Sequence, residues 1–260
     1  MKKYVLMMAL AGSLFSLSLS AQKTIVAGKP TMQDRFPNKS GNILFSTLSL
    51  SFHGMLDNAT ATDTIRFYNA ANYAISLAAS NPASFIHAEL STTKLLPHTE
   101  GYVRIFYDAT KTDDYGVLLH QLVINTSDSI FPKKEIFIST VVEPYFAPLS
   151  AADSALAPRL KVSETVYNFN KVKEGQPVDH TIQVTNTGKS ELKITAVKPA
   201  CSCLGAEIEK RNIAPGESTN LHLSYNTARK SGPESKDVTL YTNDPFMSKI
   251  NITVKGEVIP

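Results

Sequence analysis

The chain has no tryptophan, two cysteines and six histidines among its 260 residues. Two cysteines cannot form the disulfide framework on which small secreted domains depend, so the fold must rest on a hydrophobic core. Charge of one sign is also missing. Lys+Arg 26 against Asp+Glu 23 gives a formal net charge of +3, and setting aside Lys2 and Lys3 leaves about +1. That balance excludes a strongly basic nucleic-acid binder. No His-Glu-x-x-His or Gly-x-Ser-x-Gly occurs, and His53, His87, His98, His120, His180 and His222 are scattered without metal-ligand spacing. Asp113 with Asp114, and Glu207 with Glu209, are close carboxylates better explained as solvated strand or loop residues than as a catalytic pair. The expectation is a protein that is not an enzyme and needs no cofactor or resident metal.

What is present begins with a leader. Met1-Lys2-Lys3 is a short positive start, residues 4–19 are apolar apart from Gly and Ser, and Ser20-Ala21 supplies small residues before Gln22. This predicts a signal peptide over residues 1–21. No cysteine follows it to take a lipid, and no later run is long enough to span a bilayer. The protein is therefore expected to be exported, in the periplasm or associated with the cell surface or outer membrane, with no transmembrane span in the mature chain. The ending Ser18-Leu19-Ser20-Ala21-Gln22 resembles leaders of the Bacteroidetes.

Hydrophobic residues at 43% against 19% charged describe a globular chain. Residues 22–42 are polar and predict an extended or mobile segment. Short β-like runs follow at 43–52, 64–68, 102–107, 117–124 and 136–142. A second set begins near residue 160 and includes 181–185, 192–197, 221–225, 238–242 and 250–254. Residues 145–159, rich in Pro, Ala and Ser, have linker composition. The sets are repeats: Phe52 matches Phe169, Thr64-Ile65-Arg66-Phe67-Tyr68-Asn69 matches Thr181-Ile182-Gln183-Val184-Thr185-Asn186, Tyr107 matches Tyr225, and Thr126-Ser127-Asp128 matches Thr242-Asn243-Asp244. This predicts an all-β chain of two tandem immunoglobulin-like β-sandwich domains, residues 43–144 and 160–260. Phe67, Tyr68, Tyr102, Phe106 and Tyr107 are expected to be mostly core. Asn186-Thr187-Gly188 reads as a tight hairpin turn, Ala214-Pro215-Gly216-Glu217 as a turn, and Thr242-Asn243-Asp244-Pro245 as a strand end.

The second set carries a recognisable order: Phe169-Asn170-Lys171-Val172-Lys173-Glu174-Gly175, Val184-Thr185-Asn186-Thr187-Gly188, Cys201-Ser202-Cys203, Ile213-Ala214-Pro215-Gly216-Glu217 and Tyr241-Thr242-Asn243-Asp244-Pro245. It resembles the exported bacterial family called domain of unknown function 1573, over roughly residues 160–260. The resemblance implies an immunoglobulin-like, major-sperm-protein-like sandwich. The family usually has Gly where Asn170 stands, and Cys-Gly-Cys-Thr where this chain has Cys201-Ser202-Cys203-Leu204.

Cys201 and Cys203 leave three readings open. They can pack the loop as ordinary thiols. They can form a redox pair, whose Cys-x-Cys disulfide would close a tight, easily reduced ring. They can bind a soft ion such as Cu(I), since i and i+2 share a face in an extended segment. Three tripeptides, at Asp63-Thr64-Ile65, Asp128-Ser129-Ile130 and Asp153-Ser154-Ala155, are similar to the O-glycosylation acceptor pattern of exported Bacteroidetes proteins. Ser154, in the linker, is the favoured acceptor, followed by Ser129 and Thr64. The leading functional expectation is an exported interaction or scaffold module that binds other envelope or outer-membrane proteins, with no nucleic-acid partner. The alternative is a thiol-redox or Cu(I)-handling protein using Cys201 and Cys203.

Overall fold

The computed structural model describes residues 31–260. The expected leader and the start of the polar segment lie outside the described residues. The first sandwich is built from ten strands. In chain order they are β1 (Asn38–Ser40), β2 (Ile43–Phe45), β3 (Ser49–Leu56), β4 (Thr60–Asn69), β5 (Ile75–Ser80), β6 (Ile86–Leu90), β7 (Lys94–Leu95), β8 (Glu100–Asp108), β9 (Gly116–Thr126) and β10 (Lys133–Glu143). The second has nine: β11 (Leu160–Val162), β12 (Val166–Lys173), β13 (Val178–Asn186), β14 (Leu192–Pro199), β15 (Leu204–Ile208), β16 (Asn212–Ile213), β17 (Ser218–Tyr225), β18 (Gly232–Thr242) and β19 (Lys249–Ile259).

The sheets of the first sandwich run β1-β2-β4-β8-β6 and β3-β10-β9-β5-β7; those of the second run β11-β13-β17-β15 and β12-β19-β18-β14-β16. Apart from the extra β1, the orders superimpose strand for strand, so the repeat read from the sequence is a repeat of topology. The chain is all-β, two tandem immunoglobulin-like sandwiches, each closing on its own apolar cluster. In both, the first strand of the second sheet pairs parallel to the last strand: β3 on β10, and β12 on β19.

The run at residues 43–52 is not one strand. It breaks at Thr47, whose hydroxyl bonds Ser49, and its halves β2 and β3 join opposite sheets. The segment 22–42 is also more ordered than its composition implies. Its described part holds a helical turn, α1 (Met32–Arg35), capped by Thr31, then buried Phe36 and the edge strand β1. A single aromatic anchor outweighed the polar average. Alternation likewise sorts the aromatics of β8: Val103, Ile105 and Tyr107 face inward, whereas Tyr102 and Phe106 are half-buried on the outside. Phe67 is core and Tyr68 is half-buried.

Within residues 145–159 a second short helix forms, α2 (Ala151–Leu156), with Ser150 capping it through Asp153 N–H. The end of this stretch belongs to the second sandwich. Lys189 N–H donates to Ala157 C=O, and Thr187 N–H donates to Arg159 C=O. A Cβ on Gly188 would stand 2.5 Å from Ala157 O and Arg159 N. The glycine is there to let that backbone approach. The hairpin expected at Asn186-Thr187-Gly188 does not form, because β13 and β14 lie in opposite sheets. Asn186 is instead fully buried; its amide donates to Ser190 and Ile213 carbonyls and accepts from Gly188 N–H. The turn at Gly216 forms as expected, with φ +79 and Glu217 N–H donating to Ala214 C=O.

The sandwiches meet directly. Tyr115 stacks on Tyr241 with ring centroids 5.8 Å apart, Lys198 pairs with Asp114 at 2.6 Å, and Lys249 pairs with Glu143. Gly116, at φ +80, packs against the Tyr241 ring. Burial raises the Tyr241 hydroxyl above its ordinary pKa, and the Glu143 hydrogen bond raises Lys249. No helix among the described residues is long and apolar enough to cross a membrane.

Candidate functional site

The cysteines lie where the chain crosses from one sheet of the second sandwich to the other, between β14 and β15. Cys201 and Cys203 form a disulfide with Cα atoms 5.2 Å apart. Both are half-buried, packed against the rim of the core, and the intervening Ser202 is exposed. The loop is fixed at three backbone points. Ala200 N–H donates to Asp237 C=O, Leu204 N–H to Cys201 C=O, and Asn226 N–H to Cys203 C=O. In this state neither sulfur offers a thiolate to Cu(I). No group of three or more His, Cys, Asp or Glu converges on a metal position among the described residues.

The bond does little as a staple. Loop-closure entropy for so few residues is worth about 1.6 kcal/mol, against about 3 kcal/mol for a fifteen-residue loop. The first sandwich makes the same crossing, residues 81–85 between β5 and β6, with no cysteine at all.

The crossing sets the state of the strand it leads into. Among the described residues β15 is an edge of its sheet and pairs only with β17. Asn226 N–H bonds Cys203 C=O and Glu209 N–H bonds Asn220 C=O, which fixes the hydrogen-bonded pairs as Cys203, Gly205, Glu207 and Glu209. The backbone groups of Leu204, Ala206 and Ile208 therefore point out of the edge. Leu204 N–H is used by Cys201; the central donor and acceptor at Ala206 have no partner among the described residues. At the equivalent edge of the first sandwich, β6, the N–H at that point is covered. There the crossing carries Asn81, whose Oδ1 accepts from Ala88 N–H at 3.0 Å, and whose amide lies 3.4 Å from His87.

Along the outer face beside β15 runs a groove of about 610 Å³ lined by Asp179, Thr181, Gly205, Glu207, His222 and Ser224. It continues, through Gly205 and Ser224, into a second groove of about 530 Å³ that reaches Cys203. Thr181 Oγ1 lies 3.1 Å from His222 Nδ1, and His222 Nε2 lies 2.7 Å from Glu209, whose carboxyl is held below the usual range by that hydrogen bond and by Asn220. No sequence spacing signals this hydroxyl–imidazole–carboxylate line, which the pairing of β13, β17 and β15 brings together. It stands on an open sheet face with His222 and Glu209 48% and 49% exposed, where solvent screens what a buried relay would gain.

The tripeptides fall in different settings. Ser154 is half-buried on α2, and its carbonyl accepts from Arg159. Ser129 is exposed, but the Asp128 before it is a buried structural carboxylate. Thr64 is exposed in the middle of β4, opposite Arg104. Linker position did not make Ser154 the most accessible, because the linker folds onto the second sandwich.

Residues 160–258 match the family model described as a protein of unknown function, DUF1573. The match coincides with the whole second sandwich and includes the cysteine crossing and the open edge. The departure at Asn170 is explained by its φ of +58, a left-handed conformation that glycine adopts freely and asparagine tolerates. A crystal structure of a protein of unknown function from Porphyromonas gingivalis W83 is similar at 18% identity. It covers 84% of this chain and 100% of that one with a TM-score of 0.58, and so shares the fold. The CupB2 chaperone of Pseudomonas aeruginosa aligns at 12% identity over 81% of this chain and 98% of its own, with a TM-score of 0.27. No curated protein matches the chain.

Proposed function

We propose that the chain is an exported, non-enzymatic interaction module of the bacterial cell envelope, and that it holds an envelope or outer-membrane protein by taking an extended segment of that partner along β15. The observation that carries this is the N–H of Ala206 at the edge of the second sandwich, which has no partner among the described residues, set against the N–H of Ala88 at the same place in the first, which Asn81 covers. Strand addition draws its affinity from such main-chain groups, with alternate side chains supplying selectivity. Here Gly205 and Glu207 would meet the partner on the outer face, and Leu204 and Ile208 on the inner rim.

The test is site-specific photo-crosslinking in intact cells, with the photoreactive residue at Ala206 or at Ala88. A discrete adduct is expected from Ala206 and none from Ala88, and Ala206→Pro should remove the partner from affinity-purified protein while the fold persists. Equal adducts from both edges, or no adduct from Ala206, would sink the proposal.

A further inference from the structure

The Cys201–Cys203 bond lies in a position where it holds little together. It encloses one residue, and the first sandwich builds the same crossing without cysteine. What the bond does have is access. Both cysteines pack against the rim of the core, but Cys203 lines the open groove formed with Gly175, Pro177, Gly205, Ser224 and Asn226, and Cys201 does not. Short-loop, accessible disulfides are the ones that exchange with thiols.

We infer that this disulfide is a thiol–disulfide exchange site, with Cys203 as the sulfur attacked and an exported protein or peptide dithiol as co-substrate. A thiolate of the dithiol enters the groove and bonds Cys203 Sγ. The Cys201–Cys203 bond breaks, and its electron pair leaves on Cys201 Sγ, which takes a proton from solvent. The second thiolate of the dithiol then attacks the mixed disulfide at its own sulfur. This releases Cys203 as a thiolate that is protonated in turn. The dithiol loses two electrons and becomes a disulfide; the chain gains them and becomes Cys201-SH and Cys203-SH. The backbone bonds that fix the crossing, from Asn226 N–H to Cys203 and from Leu204 N–H to Cys201, involve no sulfur and survive the change.

The test uses the native full chain and a synthetic peptide bearing two reduced cysteines as the probe. Intact mass after acid quench and alkylation should show up to one peptide disulfide formed per chain, with two alkyl groups gained on the chain. Circular dichroism should remain that of the folded protein. Single variants identify the sulfur. Cys201→Ser leaves Cys203 free and should form a mixed disulfide with oxidised glutathione at least tenfold faster than Cys203→Ser, which leaves only Cys201. The double serine variant should stay folded and leave the peptide reduced. A chain that gains alkyl groups only after denaturation would overturn the inference. So would equal rates for the two single variants, or peptide oxidation by the double variant.

Discussion

The two sandwiches share buried polar anchors and differ at their exposed edges and outer faces. An asparagine and an aspartate are buried at matching positions of each, Asn69 with Asn186 and Asp128 with Asp244. Asn69 and Asn186 each donate to two or more carbonyls of the following loops and accept from the N–H two residues on. Asp128 and Asp244 each accept from a backbone N–H at the head of the equivalent strands β2 and β11, from Asn42 and Leu160 respectively, and from the N–H two residues on. Phe52 packs on Tyr107, and Phe169 on Tyr225, at centroid distances of 5.6 and 5.8 Å. Exposed positions diverge instead. On the outer face of one sheet the first sandwich presents Val117, Leu119 and Phe137, 58% to 76% exposed, where the same topological positions of the second hold Pro233, Ser235 and Thr253. The teaching is that satisfied buried polar groups define this fold, while edges, crossings and outer faces are free to specialise.

The largest expected effect lies in the cations that face the two buried aspartates. Lys134 is fully buried and bonds Asp128 at 2.6 Å, together with the carbonyls of Ser40 and Phe131. Burial alone would raise the Asp128 carboxyl, yet bonds from Lys134, Asn42 and Ile130 hold it below its ordinary value. Lys134→Met should destabilise the first sandwich by about 3–5 kcal/mol, the usual cost of leaving one partner of a buried pair. Arg159 is 34% exposed, lies 3.6 Å from Asp244 and stacks 3.5 Å over Phe246. Arg159→Met should cost the second sandwich only about 1 kcal/mol. Denaturation followed by hydrogen exchange in each sandwich would read both, and equal costs would break the comparison.

Next comes the covered edge. Asn81→Ala strips the cap from Ala88 and should cost about 0.5–1.5 kcal/mol, confined to the first sandwich in the same exchange measurement. An unchanged β6 would show that Asn81 does not close that edge. A smaller difference follows from pH. Tyr107 meets His120 at 3.4 Å, but its counterpart Tyr225 donates to Glu234 at 2.8 Å. Burial pushes His120 below its ordinary value, slightly offset by Asp114. The unfolded chain, with an imidazole near pKa 6.5, then binds the proton more tightly than the folded one. Stability from this source is present above about pH 6.5 and is lost as pH falls toward the folded value. The first sandwich should lose protection on acidification from pH 7.5 to 5.5, and His120→Gln should remove that loss. In the second sandwich, the hydrogen bond from Tyr225 leads in holding Glu234 down, so its loss should begin only below about pH 4.5. The smallest effect is at the left-handed residues His53, φ +40, and Asn170, φ +58. His53→Gly should stabilise by about 0.5 kcal/mol, and Asn170→Gly by less, because asparagine already tolerates this backbone.

The sequence made the tandem all-β fold legible because both copies keep inward alternation and matched anchors such as Phe52 with Phe169 and Asn69 with Asn186. It hid the polar network. Asn186-Thr187-Gly188 has hairpin composition, and only the third dimension reveals that its amide bridges loops and its glycine admits a neighbouring backbone. Asp128 looked like the start of a modification tripeptide because nothing local marks a carboxylate as buried; Lys134, six residues on, sits beside it only through the fold. The cysteine pair was visible as a pair, but its bond and its place beside Cys203's groove were not. The difference between the edges was invisible, because it depends on which N–H of β6 Asn81 reaches. The short strands β5, β6 and β15 carry weak alternation and were missed with it.

The parallel seams of β3 on β10 and β12 on β19 have a mechanical consequence. Each joins an early strand of a sandwich to its closing strand, pointing the same way. Tension between the two ends of the chain therefore pulls the seam's strands lengthwise past one another, loading its hydrogen bonds together in shear rather than peeling them one by one. With the sandwiches in series, a tether anchored at one end and pulled at the other would bear its load on these two seams in turn.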